Sequence, residues 1–332
     1  VSRFSLSVII LLGLTLSGLS TESGLYTFEE PLMGTRFRIA VYAVDSAEAK
    51  RAADLAFARV RVLNLVYSDY LRESEVMKLC VSPARVPVKV SSDLFSLLES
   101  AKRIASISGG AFDVTSGHLT HLWRRTKRQK TLPTQARLSE ALAKTNWQWV
   151  KLDPLESEVT LAEPELLLDL GGIAKGRAAD EALRVLVEQR MPRAMVIAGG
   201  DMAIGDSPPN RKGWAVQLKT SESDKAENVG LSLRNCGVST SGDLHQYVEI
   251  QGKRYAHIIN PKTGLGLTSG ISCSVIAPNA MISDALATAI CVLGAEKGLN
   301  ILKAMPGHDA RVVTEEGVKS TPGFPKTERI HP

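Results

Sequence analysis

The sequence predicts an α+β fold built on antiparallel sheet, with packed helices beside it. Strand-like stretches come in a run from about 213 to 276 instead of alternating with helices. A few long amphipathic segments stand apart from that run, near 46–63, 93–106 and after 172. Glycine pairs at 109–110, 171–172 and 199–200 punctuate the joints.

The N-terminus, "VSRFSLSVIILLGLTLSGLSTES", carries Arg3, an apolar run from about Leu6 to Leu16, and then small residues. That is the layout of a secretory signal peptide, read here as residues 1–20, with an uncleaved membrane anchor as the alternative. The apolar run falls short of the roughly 20 residues of a membrane span. No low-complexity linker or repeat divides the remainder, so 21–332 reads as a single domain.

"FRIAVYAV" (37–44) alternates as a strand. From Ser46, Ala52, Leu55, Ala56, Val60 and Leu63 recur at helical spacing, and the polar segment "YSDYLRESEVMKL" follows. Leu94, Leu97, Leu98, Ala101, Ile104 and Ala105 form the stripe of a second helix, which Gly109 and Gly110 stop. Residues 123–144 read as loop plus short helix, with the basic run "RRTKRQK" (124–130) as a solvated loop. "ELLLDLGGIAKGRAADEALRVLVEQR" reads as strand, glycine turn and long helix, and "AMVIAGGD" (194–201) as a further strand. "WAVQLK", "GLSLRN", "YVEI", "RYAHII" and "ISCSVIA" are the strands of the second half, and a last helix begins near Ser283.

Composition narrows the function classes. With 44% hydrophobic and 23% charged residues the chain is neither disordered nor fibrous. A net charge of +5 without an aromatic-rich basic motif gives no nucleic-acid partner. Cys80, Cys236, Cys273 and Cys291 have no CxxC or metal-like spacing and read as free thiols.

Four stretches have chemical potential, each with a plain structural alternative. "DLGGIAKG" (169–176) sets two glycines and Lys175 at a helix start, where backbone N–H groups and an ammonium attract phosphate; it is equally a tight turn, and it is not a Walker A loop. "SGGAFDVTSG" (108–117) offers small residues that admit a flat ring and Asp113 to accept its hydrogen bonds; the alternative is a helix cap running into a strand. In "ISDALATAI" (282–290), with Ser283 as N-cap, Asp284 and Thr288 share one helix face. Two oxygen side chains there suit a hard cation such as Mg2+, or Asp284 simply complements the helix dipole. In "RYAHIINPKTG" (254–264), Tyr255, His257 and Ile259 fall on one strand face before a turn at Asn260-Pro261 and Gly264. His257 is either a packing residue or a proton-transfer group opened to a cleft.

Taken together and in order, "MGT" (33–35), "YSDYLRESE" (67–75), "SGGAFDVTSG", "LDLGGIAKG", "AGGD" (198–201), "STSGD" (239–243), "HIINPKTG" and "SDALATA" resemble the ApbE family of flavin transferases, over roughly 26–330. The resemblance implies T-fold-like antiparallel sheets with FAD in a cleft. It implies an exported, periplasmic enzyme, associated with the inner membrane if the N-terminal segment is retained. That enzyme uses Mg2+ to cleave FAD, its substrate, and joins FMN to a Thr or Ser of an acceptor protein, releasing AMP. The implied acceptors are flavin-carrying subunits of a membrane redox complex of the sodium-pumping NADH:quinone reductase or Rnf type. Hydrolysis of FAD to FMN and AMP, or flavin binding without turnover, are the alternative activities of the same site.

Carried onto this chain, the flavin-nucleotide contacts are Met33, Tyr70, Ala111, Phe112, Asp113, Asp169, Lys175 and Ile258. The metal takes oxygens from Asp284 and Thr288 and from the carbonyls of Gly172 and Ala287. His257 becomes the catalytic base, in keeping with the ordinary imidazole pKa of about 6.5. Three positions depart from the family pattern: Leu19 where a lipid-anchor cysteine is common, Cys80 in place of Asn, and Arg177 after "AKG".

Overall fold

A computed structural model describes residues 23–218, 229–242 and 247–326, so the leader read at 1–20 lies outside the described residues. The hairpin β1 (Gly24–Leu32) and β2 (Thr35–Ala43) leads into α1 (Ser46–Tyr67), α2 (Glu75–Cys80), β3 (Val88–Lys89) and α3 (Ser92–Ile107). Next come α4 (Gly117–Gln129), α5 (Gln135–Leu142), β4 (Val150–Asp153), β5 (Glu158–Leu161) and α6 (Ala174–Glu188). The strand run consists of β6 (Ala194–Ala198), β7 (Asp201–Ile204), β8 (Trp214–Leu218), β9 (Val229–Leu233), β10 (Cys236–Gly242), β11 (Tyr247–Ile250), β12 (Lys253–Ala256) and β13 (Ser272–Ala277). It is followed by α7 (Ala280–Leu293), α8 (Ala295–Leu302), β14 (Asp309–Thr314) and β15 (Gly317–Ser320).

Eight strands form one sheet in the order β1-β2-β6-β7-β10-β13-β14-β15, with every neighbour antiparallel. Alternation along β2 shows how the two faces are filled. Phe37, Ile39 and Val41 enter the core shared with α1, α6 and α7. Ala40 and Tyr42 point the other way, to a second core with Trp214, Val216 and Leu231 of the β8–β9 ribbon. Full burial of each such large apolar side chain is worth about 1.5–3 kcal/mol.

The helices are set by caps and close contacts. Asp45 caps α1 by accepting from Ala47 N and Glu48 N. Arg59 of α1 reaches both Asp93 of α3 and Glu181 of α6, tying three helices together. Burial alone would raise the Glu181 carboxyl, but hydrogen bonds from Arg184 and Arg59 hold it below its ordinary value. The start of α6 crosses the start of α7 at Gly176, where a Cβ would lie 2.2 Å from the Ala280 carbonyl oxygen, so only glycine permits this approach.

Several local expectations change. The basic run at 124–130 is mostly helix: α4 continues to Gln129, and Lys130 follows in a left-handed conformation. Leu119, Trp123 and Thr126 give α4 a buried stripe while its cations point outward, and this periodicity outweighs the charge density. The polar segment after α1 contains α2, capped by Ser74. "ELLLDL" joins no ladder: Glu165 is a turn residue at positive φ, and the stretch is held instead by bonds from Gly117 N to Leu167 O and from Asp169 N to Val114 O. After Asp113 the chain enters α4 rather than a strand. Finally, α7 starts at Ala280 with Asn279 as N-cap, three residues before the expected start at Ser283. Cys80, Cys236 and Cys273 are free thiols, as expected.

Candidate functional site

The glycine turn before α6 is ordered by Asp169, whose Oδ1 accepts from Gly171 N at 2.8 Å and whose Oδ2 accepts from Thr120 Oγ1 at 2.6 Å. Lys175, the second residue of α6, leans back over that turn. Its Nζ donates to Asp201 Oδ2 at 2.7 Å and to Asp284 Oδ2 and the Gly171 carbonyl at 3.4 Å. Both carboxylates are buried, at 3% and 2% exposure, whereas the Lys175 side chain is 31% exposed and within reach of a ligand.

Burial, then the charge of Asp201, pushes Asp284 up to about 7, and Lys175 and the Gly176 N–H oppose that shift. The lysine itself is disfavoured as a cation by burial but is held above its ordinary value by Asp201 and Asp284. The site therefore keeps a charged ammonium at neutral pH.

Thr288 lies one turn beyond Asp284 on α7, and its Oγ1 is 3.4 Å from Ser241 Oγ. Gly172 packs against it: a Cβ on Gly172 would be 3.4 Å from Thr288 Oγ1 and 3.1 Å from the Phe112 ring. Ala287 is fully buried on the same helix. Among the described residues no three His, Cys, Asp or Glu side chains form a metal cluster. The oxygen-bearing side chains gathered here are the Asp284 carboxylate, which Lys175 and Gly176 N contact, and the Thr288 hydroxyl one turn further along the same helix. That all-oxygen set fits a hard cation that keeps positions for water or phosphate oxygens.

Of the other sequence-predicted residues, Phe112 meets Gly172, and the rest are held by contacts of their own. Met33 and Gly34 form the two-residue turn of the β1–β2 hairpin, both at positive φ (49° and 72°), an unusual conformation for methionine. That turn abuts the β6–β7 turn, since a Cβ on Gly199 would fall 2.8 Å from Thr35 Oγ1. Ala111 and Phe112 are buried, and the Phe112 ring meets Gly172 of the glycine turn. Asp113 is engaged by protein groups, with Oδ1 accepting from Thr115 N and Oγ1 in its own loop and Oδ2 from Trp147 N beyond α5. Burial raises its pKa, and those hydrogen bonds act against the rise. Tyr70 is 75% exposed and stacks under the Arg124 guanidinium at 4.0 Å, while Arg124 pairs with Asp69 at 2.6 Å.

His257 and Ile258 separate to opposite sides. β12 ends at Ala256, whose N–H donates to the Leu267 carbonyl, and Leu267 N–H donates to the Ile258 carbonyl. Three residues thus face one, as in a β-bulge, and His257 is pushed outward. His257 is exposed, Ile258 is buried in the main core, and Tyr255 is buried against Trp123. Tyr255 and Ile259 therefore share one face, in a cluster with Trp123, and His257 alone leaves it. The turn itself is as expected, with Asn260 Oδ1 accepting from Lys262 N and Gly264 at positive φ.

Asp201, the partner nearest to Lys175, was given no role by the sequence reading, although "AGGD" placed it at a glycine turn between strands. The hydroxyls of "STS" were also missed: Ser239 pairs with Ser283 at 2.7 Å and Thr240 with Ser274 at 2.8 Å. Ser283 is thus a packing contact and not a helix cap.

The chain as a whole is similar to known proteins. The ApbE family model matches residues 33–312. A Treponema pallidum protein named FAD:protein FMN transferase is 32% identical, covering 99% of this chain and 95% of its own length. A Klebsiella pneumoniae protein of the same name is 32% identical, over 89% of this chain and 91% of its own. The apo structure of Pseudomonas stutzeri flavinyl transferase ApbE superposes with a TM-score of 0.80 at 26% identity, over 91% of this chain and 96% of that one. The chain belongs to the ApbE family.

Proposed function

We propose that this chain is an FAD:protein FMN transferase that cleaves FAD and links FMN to a Thr or Ser hydroxyl of an acceptor protein, releasing AMP. The observation that carries this reading is Lys175. It is a cation held between the buried carboxylates of Asp201 and Asp284 at a helix start, partly open to solvent, with the Thr288 hydroxyl one turn beyond Asp284. A pyrophosphate needs that combination, because phosphoryl transfer depends mainly on positioning and charge stabilisation.

Gly172, Asp284, Ala287 and Thr288 would hold Mg2+, which when bound neutralises charge on the phosphate oxygens. Lys175 binds the same pyrophosphate from the start of α6. Met33, Tyr70, Ala111, Phe112, Asp113, Asp169 and Ile258 hold and orient the flavin nucleotide. The acceptor hydroxyl oxygen bonds to the FMN phosphorus while the bond from that phosphorus to the bridging oxygen breaks, and AMP leaves with that oxygen. An imidazole nitrogen of His257 takes the hydroxyl proton, and its exposure leaves room for a protein acceptor. The acceptors are flavin-carrying subunits of a membrane redox complex, of the sodium-pumping NADH:quinone reductase or Rnf type. The enzyme meets them in the periplasm, exported by its N-terminal segment.

Incubation with FAD, Mg2+ and an acceptor fragment tests the reading. Covalent FMN on the fragment with stoichiometric AMP is expected. Free FMN with AMP would make the chain a hydrolase, and unchanged FAD would make it a binding protein.

A further inference from the structure

We infer that Asp201 is the positioning residue for Lys175, and that it keeps the ammonium from closing on Asp284 so that this carboxylate can take a cation. The inference rests on the reading of Asp284 as a metal ligand. One ammonium faces two buried carboxylates, and it sits 2.7 Å from Asp201 but 3.4 Å from Asp284. The closer contact falls on the carboxylate that no metal role claims.

The backbone fixes this asymmetry. Asp201 is held at the start of β7, paired on one side with Ala198 and on the other with Ser239. Asp284 is held from the opposite side, accepting from Gly176 N at 3.2 Å. Lys175 has room to move between them, since its side chain is partly open. A divalent ion on Asp284 repels the ammonium, which needs an anion to retreat to, and Asp201 supplies it. Without Asp201 the lysine would neutralise Asp284 and compete with the metal directly.

The test is Mg2+ binding by calorimetry in the absence of FAD, on the full chain. Parent protein that binds no Mg2+ would overturn the metal reading itself, separately from the role of Asp201. Given parent binding, Asp201→Asn is expected to weaken Mg2+ affinity by about 10–100-fold, the usual effect of losing an outer-shell partner. Unchanged affinity overturns the proposal. A loss could also arise from the missing negative charge alone, and a double-mutant cycle separates the two. In a Lys175→Gln background, Asp201→Asn is expected to have no further effect, whereas an equal loss in both backgrounds overturns the proposal. Should the Lys175→Gln proteins not fold, the crystal structure of metal-free Asp201→Asn decides: an ammonium that closes from 3.4 Å to about 2.8 Å from Asp284 supports the role, and one that stays on residue 201 overturns it.

Discussion

Asp180 on α6 caps the start of α7, and Asp284 on α7 caps the start of α6. Asp180 accepts from Ala280 N and Met281 N, each at 2.8 Å, and Asp284 accepts from Gly176 N at 3.2 Å. The two helices thus satisfy each other's first free N–H groups across the Gly176–Ala280 contact. One member of this exchange belongs to the candidate site and the other lies outside it. The pair therefore offers a way to tell structural from chemical damage.

Asp180→Ala is expected to lower stability by about 1–3 kcal/mol, the cost of leaving buried donors unpaired, without abolishing Mg2+ binding by the folded protein. Urea denaturation together with Mg2+ calorimetry checks both parts.

The same residue predicts a pH effect. Burial pushes Asp180 up to about 6, although the Ala280 and Met281 N–H groups act to lower it. A carboxyl raised above its ordinary 3.8 binds its proton more tightly when folded. Its stabilising contribution is therefore fully present below about pH 4 and is lost as pH rises through about 6. Over that interval the parent loses up to about 3 kcal/mol from this group, and the loss is absent in Asp180→Asn. Stability measured from pH 4 to 7 on both proteins checks this, and parallel curves would refute it.

Asp284→Asn keeps an oxygen for Gly176 N but removes the carboxylate. Mg2+-dependent transfer should be lost more completely than FAD binding, because the flavin contacts proposed above lie on other residues. Chelation with EDTA should stop the parent in the same way, and added Mg2+ should restore it. Normal turnover of the variant at low Mg2+ would remove Asp284 from the metal site.

Lys175→Ala should weaken FAD binding by about 10–100-fold, the scale of a lost hydrogen bond to a charged group. Fluorescence titration of FAD measures it, and parent-like affinity together with a parent-like rate would count against the pyrophosphate role.

The helices were legible where apolar period and caps agreed, as in α1 and α3, and so was the antiparallel run of strands. α4 was hidden because its outward cations outnumber its buried stripe of Leu119, Trp123 and Thr126. Lys175, Asp284 and Thr288 were readable as local patterns at helix starts and turns of one helix. Asp201 was not, because its partner is 26 residues away in sequence and only the β6–β7 turn brings it back to α6. The outward position of His257 was equally hidden, since it depends on Leu267 bonding to both Ala256 and Ile258.

That exposed position makes His257 the sharpest test of mechanism. A histidine on a bulge beyond the strand end contributes little to the core, whereas Tyr255 and Ile258 on either side are buried. His257→Ala should therefore melt near the parent temperature and bind FAD and Mg2+ almost normally. If the imidazole takes the acceptor proton, single-turnover transfer should fall by roughly 10²–10⁴. In the parent, transfer should rise with pH as the imidazole loses its proton, and that limb should vanish in the variant. A structural role predicts the opposite pattern, with a lower melting temperature, weaker FAD binding and a rate that follows the folded fraction. Melting temperature, FAD affinity and transfer rate measured on one preparation separate the two. Full-rate transfer by folded, FAD-saturated His257→Ala protein would remove His257 from the chemistry and leave the proton to solvent or to the acceptor's own residues.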